Sequence, residues 1–468
     1  MAHKTGLFRN LITKCIARGT WFCVAHGLRA SCPGTGLGYG FSVDDSREFF
    51  ALAIFALSYG FLAFDRLPLI KLDRVSGVLV GAVAMVGFGV INVESAWQAI
   101  DGRTLMLLIG MMILNVAFQE SGFFGWLSAR LFTGGQSPRV LLVALILTSG
   151  ILSALFLNDT VCLMLSMPLL ALLKARGLPR APYLVALAMS ANIGSVMTVV
   201  GNPQNMLIQS ESGYAYLPFL VRMAPVGLIG LAVLTGILLW VYRDHFGPSA
   251  TLRGPENSKP LPLAPEIDAK LMGLTGLALV GVLIGFTLSQ QLGLVAMAGA
   301  ASILLFSGRP ASQILARVDW LLIVFFASLF VVMAGLSSTD VLSGLSDWLG
   351  DLGQGPTPET VALFSGLTIL GSNLVSNVPF VLLIRETVAG SADPGLMWLV
   401  LAMASGFAGN LTVPGSIATL IVLRAAGRED SISFLHFSLI GVPVTLITTA
   451  LGGLLLWWLG GPTLHPPG

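Results

Sequence analysis

Long apolar runs, separated by short polar loops, fill most of the chain after residue 47. Crossing a bilayer as a helix takes about 20 apolar residues. Runs of this kind cover 48–64, 75–94, 104–119, 181–209, 217–242, 269–287, 290–306, 319–335, 396–422 and 432–458. The pattern predicts an all-α membrane protein, because a helix satisfies its backbone hydrogen bonds internally in lipid.

Two further apolar runs, 139–174 and 358–387, are too long for one crossing, and each carries a polar triplet at its centre. The triplets are Asn158-Asp159-Thr160 in the first run and Ser376-Asn377-Val378 in the second. We interpret each run as a re-entrant hairpin that enters and leaves the membrane on the same side. Backbone can leave the helix at membrane depth only where protein or a wet cavity surrounds it.

Two of the crossing runs are interrupted by helix-breaking residues. The breaks are Gly201-Asn202-Pro203 in 181–209 and Pro414-Gly415-Ser416 in 396–422. Each hairpin tip is expected to face the break of its own half. Interrupted helices in corresponding positions of two halves are the best sequence indication of a secondary transporter's binding site.

The spacing of these features indicates an internal repeat. Asn158 and Ser376 lie 218 positions apart, as do Asp101 and Asp319, and the interrupted runs lie 214 positions apart. Five crossings and one hairpin per half are an odd number of crossings, so the second half must be inverted. We therefore predict an inverted-topology repeat with about ten transmembrane helices, two re-entrant hairpins and two broken helices. The expected divisions are an N-terminal arm (1–46), a first repeat (47–242), a Pro-rich cytoplasmic linker (243–268), a second repeat (269–460) and a tail (461–468).

Basic residues in the loops after residue 48 orient this topology. If residue 48 starts outside, sixteen Lys and Arg residues fall in inside loops and two, Arg103 and Arg385, fall outside. Cytoplasmic loops favour Lys and Arg, so we expect 243–268 to be cytoplasmic. The arm is basic, with no acid before Asp44, and opposes this orientation. It could be an amphipathic arm, a targeting segment or an upstream-start artefact, and an additional crossing within it stays open.

Composition excludes several classes of protein. The chain is 55% hydrophobic and 10% charged, whereas soluble domains carry about 25% charged residues. The net charge of +2 gives no indication of a nucleic-acid partner. Four cysteines without CxxC spacing make a disulfide framework or zinc site unexpected. No nucleotide-binding signature is present, which argues against an ATP-driven pump, and we expect no cofactor.

A helix that stops in mid-membrane exposes backbone N–H groups at one end and carbonyl groups at the other. The N–H end attracts anions, whereas carbonyl and side-chain oxygens suit a small hard cation such as Na⁺. Two tips that face two breaks therefore predict two such sites. The other polar groups within apolar helices could serve these sites or simply bond a neighbouring helix. They are Asn192, Asn205, Asn373, Asn410, Thr412 and Thr419.

Asp159 is the strongest single candidate for a residue that binds the coupling cation or proton. An ionised Asp in mid-membrane costs roughly 2.5–3.5 kcal/mol, so a cation or proton that compensates it would explain its presence. The alternative is a helix N-cap, since Asn-Asp-Thr before an apolar run is also typical of a capped start. The second copy has neutral Asn377 at this place, so we expect the first site to be the more cation-selective.

At these residues the chain resembles the ion transporter superfamily with a citrate-transporter-like domain. This superfamily includes divalent anion:sodium symporters, arsenite efflux permeases and sodium/proton antiporters. The symporters carry Ser-Asn-Thr at both tips, whereas Asn158-Asp159-Thr160 and Ser376-Asn377-Val378 are closer to the arsenite and anion-permease branches. Val378 lacks a hydroxyl that the symporters use for a substrate carboxylate, which puts a dicarboxylate substrate in doubt.

The resemblance implies two cation sites with the anion between them. The first site would comprise Asn158, Asp159, Gly201 and Asn202, and the second Ser376, Asn377, Gly415 and Ser416. Thr160, Asn205 and Thr419 would face the substrate. The resemblance also implies a homodimer in which the hairpin-bearing domain moves against a fixed scaffold, here in the bacterial inner membrane.

The sequence thus predicts a secondary transporter that couples Na⁺ or H⁺ to a small anion by alternating access, and not an enzyme. Within the same fold, export of an arsenite-like metalloid or Na⁺/H⁺ exchange is the alternative. An intramembrane hydrolase or a sensor is a remote one. Asp159 has no convincing second Asp for an aspartyl enzyme, and His436 is the one histidine within a span.

Overall fold

A computed structural model describes six stretches of the chain: 43–63, 73–132, 136–246, 267–339, 355–427 and 432–460. Nearly all of the predicted arm, most of the linker and the tail lie outside these stretches. Cys15, Cys23 and Cys32 lie outside them as well, whereas Cys162 is a buried free thiol. Within the described stretches the secondary structure is helical.

In the stretches of the first half that the structure describes, ten helices follow one another in the order that the apolar runs predict. They are α1 (Val43–Ala63), α2 (Arg74–Gly87), α3 (Val93–Gln98), α4 (Gly102–Glu120), α5 (Phe123–Phe132), α6 (Pro138–Leu155), α7 (Asn158–Arg176), α8 (Ala181–Ser195), α9 (Pro203–Ser212) and α10 (Tyr216–Val241). The pair α6–α7 is the predicted hairpin, and α8–α9 is the predicted broken helix. The short helices α3 and α5 were not predicted, because they lie in loops between spans.

The second half repeats this order with nine helices in its described residues, which exclude 340–354 and 428–431. They are α11 (Ala269–Leu288), α12 (Leu292–Phe306), α13 (Ala311–Leu315), α14 (Trp320–Ser337), α15 (Pro358–Val375), α16 (Asn377–Ala389), α17 (Pro394–Ala408), α18 (Ile417–Ala426) and α19 (Phe434–Leu459). A 3₁₀ turn, Val413–Gly415, occupies the break between α17 and α18. Seven of the described helices are long and apolar enough to cross a membrane, and α2, α12, α17 and α18 are shorter apolar helices.

The two halves are interwoven rather than side by side. Helix α2 of the first half packs on α14 of the second, and α12 of the second packs on α4 of the first. In the same way α18 packs on α7, and α9 packs on α16. Each contact therefore has a counterpart in which the halves exchange roles, as the predicted inverted repeat requires. The helices α2, α4, α12 and α14, with α1 and α11, form a scaffold beside the hairpins and broken helices.

Contacts between loops agree with the predicted sides of the membrane. On the predicted outer side, Arg47 donates to the Val90 carbonyl at 2.8 Å and to Ser338 at 3.3 Å. On the predicted inner side, the Asp268 backbone N–H donates to the Ser121 carbonyl at 3.1 Å. These contacts join loops that the topology places on one side, which supports the inverted orientation of the second half.

An ionic cluster links the halves at the predicted inner face. Arg309 pairs with Glu120 and with Asp268, both at 2.8 Å, and Arg317 pairs with Glu120. The Leu271 backbone N–H and the Arg309 guanidinium bind the charged form of Asp268 and so hold its pKa below the usual range. The cluster therefore ties the C-terminus of α4 to the loop that precedes α11.

We expect Asp268→Asn to lower thermal stability at pH 7, because the ion pair is lost while Asn still caps α11. A depressed pKa contributes stability above the unfolded-state pKa that is lost as pH falls through the folded-state value. The difference in Tm between the two proteins should therefore shrink below about pH 4. Thermal unfolding in detergent from pH 3 to 7 measures it. A Tm difference that does not change with pH would contradict this role.

Candidate functional site

The first hairpin tip is bound to the break of the first broken helix. The Asn158 backbone N–H donates to the Gly201 carbonyl at 3.0 Å, and the Thr198 hydroxyl donates to the Ala154 carbonyl at 2.5 Å. Asn202 begins α9 as an N-cap, since its Oδ1 accepts the Asn205 N–H at 2.8 Å. Backbone groups that leave the helices at this depth thereby find protein partners, and the tip faces the break as predicted.

Only glycine fits at position 201. A Cβ there would lie 2.6 Å from the Ser153 carbonyl oxygen and closer still to the Ser195 carbonyl oxygen. Both obstacles are backbone atoms and cannot rotate away. The glycine thus lets the chain of the break pass directly against the hairpin.

The second tip is held to its own break by different groups. The Asn373 amide donates to the Ala408 carbonyl at 3.0 Å and accepts the Thr412 hydroxyl at 2.8 Å. At the tip, Ser376 has φ 76° and ψ 157°. A non-glycine residue pays roughly 1–3 kcal/mol of strain in such a region. The second tip is therefore both tied down and strained.

Both tips and both breaks line one central cavity of about 290 Å³. It extends to the first turns of α2 and α14, whose starts lie on the predicted inner side. Tip and break residues in its wall include Asn158, Asp159, Pro203, Gln204, Ser376, Asn377, Val378, Pro414, Gly415 and Ser416, and scaffold residues include Arg74, Asp319, Leu322 and Phe326. The cavity thus lies between the hairpin-bearing elements and the scaffold, and reaches one side of the protein.

Asn192 on α8 is the hub of the polar network behind this cavity. Its Oδ1 accepts from the Asn158 amide at 3.2 Å and from the Ser416 hydroxyl at 2.9 Å. Its Nδ2 donates to Asn410 Oδ1 at 3.0 Å and lies 3.5 Å from the Thr419 hydroxyl. One buried amide therefore joins the first tip to the break of the other half.

The network has no counterpart across the repeat. Shifting by the 214 positions that separate the broken helices places Gly406 at the position of Asn192 and Val196 at the position of Asn410. A Cβ on Gly406 would meet the Val196 side chain. The two-fold relation therefore pairs a polar bridge on one side with an apolar contact on the other, and the two sites are chemically unequal.

Asp159 lies in the first turn of α7 and in the cavity wall, partly buried. The N-cap position belongs to Leu157, which makes no side-chain cap bond, and the described residues provide no hydrogen-bond donor to the Asp159 carboxylate. The hydrogen bond from a backbone N–H to the Asp159 carboxylate, which would make Asp159 a helix N-cap, is thus not found among the described residues. The carboxylate is left to face the cavity, with Asp319 and Arg74 also in its wall.

The structure distributes the predicted site residues unevenly. Asn158, Asp159, Ser376, Asn377, Gly415 and Ser416 line the cavity. Gly201 and Asn202 lie behind it and make the structural bonds described above. Thr160, Asn205 and Thr419 are not among its lining residues. Asn205 instead donates to the Thr198 carbonyl at 2.8 Å, while its Oδ1 has no partner in the described stretches. The assignment of Thr160, Asn205 and Thr419 to substrate binding stays a prediction.

Sequence reasoning missed the two charged scaffold residues of the cavity wall. Arg74 was counted as a loop charge and Asp319 as a repeat marker, and both line the wall. Asn192 was one of several amides without an assigned partner. The N-cap position of Asp319 before an apolar run is visible in the sequence, but its place opposite the tips depends on the exchange of helices between halves.

Known proteins similar to this chain are membrane proteins and transporters. The citrate transporter family model matches residues 59–408. A 46 kDa membrane protein of Mycobacterium leprae is 30% identical over 87% of this chain and 97% of the relative. The silicon efflux transporter LSI3 of Oryza sativa is 30% identical over 85% and 95%. The putative transporter arsB of Dictyostelium discoideum is 24% identical over 88% and 93%.

A solved structure supports the fold. The crystal structure of the YdaH transporter of Alcanivorax borkumensis superimposes with a TM-score of 0.51 at 18% identity, covering 89% of this chain and 99% of that one. The likeness concerns the arrangement of helices, since identity this low carries no information about ligands.

We expect Gly201→Ala to destabilise the protein by about 1–3 kcal/mol, because backbone must move to admit the methyl group. The matched control is Gly236→Ala on α10, where no atom lies within 4 Å of the added Cβ. That change should be neutral or mildly stabilising. Unfolding of both variants in mixed micelles gives the comparison, and equal stability would mean that the tip and the break are not in tight contact.

We expect Asn192 and Ser416 to be energetically coupled. A double-mutant cycle of Asn192→Ala and Ser416→Ala should yield a coupling energy of about 0.5–2 kcal/mol in unfolding. Thr235→Val is the control partner, since the Thr235 hydroxyl bonds the Leu231 carbonyl of its own helix. That pair should be additive within about 0.5 kcal/mol. Additive effects in both cycles would show that Asn192 does not couple the first tip to the second break.

Proposed function

Because the chain belongs to the citrate transporter family, a family of membrane transporters, we propose that it is a secondary transporter that couples Na⁺ or H⁺ to the movement of a small anion. The observation that carries the proposal is the central cavity, where both tips and both breaks meet. Secondary transporters bind substrate and coupling ion where interrupted helices of two inverted repeats converge.

The coupling ion would bind beside Asp159. An unpaired carboxylate within the membrane-spanning part of a protein is costly, and the described residues donate no hydrogen bond to it. A cation or a proton offsets that cost. The oxygen atoms next to Asp159 are hard ligands of the kind that Na⁺ prefers. One of them is Asn158 Oδ1, which already accepts the Asp159 backbone N–H at 3.0 Å.

The substrate would bind next to this ion in the cavity between the tips. Helix α7 begins at Asn158 and α16 begins at Asn377, so the N-termini of both helices are directed at the cavity. Asn377 and the strained Ser376 lie in its wall, and Asn377 Oδ1 has no partner within the described part of the chain. Positive helix ends favour an anion there, once the cation has neutralised Asp159.

Asn192 provides a physical route for coupling. A cation that orders Asn158 acts on the same amide that holds Ser416 at the second break. Occupation of the first site would thus stabilise the geometry of the second. Such coupling is a difference in free energy between states and is reciprocal, so the anion would in turn raise cation affinity.

We expect Asp159→Asn to abolish gradient-driven uptake while expression and folding change less, because the variant no longer needs a cation. Asp393→Asn is the matched control, since Asn also caps a helix, and Asp393 caps α17 by accepting the Leu396 N–H at 2.9 Å without lining the central cavity. The measurement is uptake of labelled anions by purified protein in liposomes under imposed Na⁺ or pH gradients. Fully gradient-dependent uptake by the Asp159→Asn variant would show that Asp159 takes no part in coupling.

Export of a neutral metalloid hydroxide is the second candidate. Two similar proteins are named as a silicon efflux transporter and as arsB. The cavity wall carries Asn, Ser and Gln side chains that hydrogen-bond hydroxyl groups equally well. Liposomes loaded with arsenite or silicic acid distinguish anion transport from export of a neutral hydroxide. Release that depends neither on membrane potential nor on the labelled anions would favour the hydroxide.

A further inference from the structure

A second polar cavity lies on the predicted outer side, away from the tips. It has a volume of about 560 Å³ and lies between the starts of α4 and α12, the end of α9 and the loop before α12. Its wall includes Arg103, Gln209, Ser210, Gln290 and Gln291. It therefore adjoins both the scaffold and the hairpin-bearing part.

The repeat makes this outer cavity the counterpart of the inner mouth of the central cavity. The inner mouth is formed by the starts of α2 at Arg74 and α14 at Trp320. The outer cavity is formed by the starts of α12 at Leu292 and α4 at Gly102. Residues 74 and 292 lie 218 positions apart, as do 102 and 320. The same structural positions thus form an opening at each face.

Arg103 is the basic side chain in the outer wall. Its Nε lies 3.5 Å from Asp101, and 61% of its side chain is exposed. The Asp101 carboxylate is already engaged, since it accepts the Arg103 N–H and the Thr104 hydroxyl. The nearby Glu211 pairs with Arg385 at 3.1 Å. Both acids thus have other partners, which leaves much of the guanidinium to the cavity.

Two further groups in the wall lack partners that an anion would supply. Helix α12 begins after Gln291 with no side-chain cap bond, so its first N–H groups and its positive end are open. The Ser210 hydroxyl is buried, lines the cavity and has no hydrogen-bond partner among the residues that the structure describes. A buried hydroxyl without a partner costs about 1–3 kcal/mol, which a bound oxygen atom would offset.

We propose that the outer cavity binds small oxyanions, held by Arg103, the N-terminus of α12 and the Ser210 hydroxyl. The anion class rests on the proposed function. For a transporter of small anions, the outer cavity is where the anion binds on the outer side before or after it occupies the central site. Arg103 and Arg74 then provide one guanidinium at each opening, although the two come from different positions of the repeat.

The test uses thiol chemistry and no transport. In the full-length chain without its four native cysteines, Gln290→Cys places a thiol at the exposed edge of the cavity. It is treated with anionic sulfonatoethyl and cationic trimethylammonioethyl methanethiosulfonate in proteoliposomes. Gln98→Cys, at an exposed site of α3 on the same face, is the control, and it carries Glu94→Gln as well because Glu94 accepts from the Gln98 amide at 3.1 Å. We expect the anionic-to-cationic rate ratio to be about five-fold higher at position 290, from one nearby positive charge at short range.

Arg103→Gln should return this ratio to that of the control. Inorganic phosphate should slow modification of the Gln290→Cys thiol, and Arg103→Gln or Ser210→Val should abolish that protection. Equal ratios at the two positions, or a charge preference without phosphate protection, would overturn the site. Because no uptake is measured, either result leaves cation coupling at Asp159 untouched, and loss of coupling would not alter the thiol result.

Discussion

The structure depends on one constraint, which is that backbone polar groups inside a membrane must bond within the protein. Two helices stop halfway and two hairpins turn back, so their ends would otherwise be unpaired. The Asn158 N–H to Gly201 carbonyl bond and the Asn373 amide solve this problem at the two tips. Each solution brings a tip against a break, and that proximity creates the central cavity.

The same constraint explains why the two halves differ in chemistry. A repeated fold needs a tie at each tip but does not need the same side chain in both. In the first half, backbone makes the tie and leaves Asn158 free to bond Asn192, which reaches the other half. In the second half, Asn373 makes the tie, and the equivalent of Asn192 is Gly406. The symmetric scaffold thus carries polar contacts that differ between its two halves.

Apolar runs and turn residues predicted most of the fold, because lipid imposes length and polarity on every span. The hairpin tips and both breaks were predicted at their observed positions. The exchange of helices between halves was not predicted, since apolar faces alone do not specify their partners. For that reason Arg74 was missed and Asn192 was named without a partner: their chemistry is visible in the sequence, but residues of the other half lie next to both.

An inverted repeat also constrains how the protein can open. The central cavity reaches the predicted inner side through the starts of α2 and α14, while the equivalent starts of α12 and α4 enclose a separate outer cavity. If the two halves exchange their conformations, the outer cavity becomes the route to the tips and the inner mouth closes. The scaffold helices already occupy equivalent positions, so such an exchange would change the hairpins and broken helices rather than the scaffold.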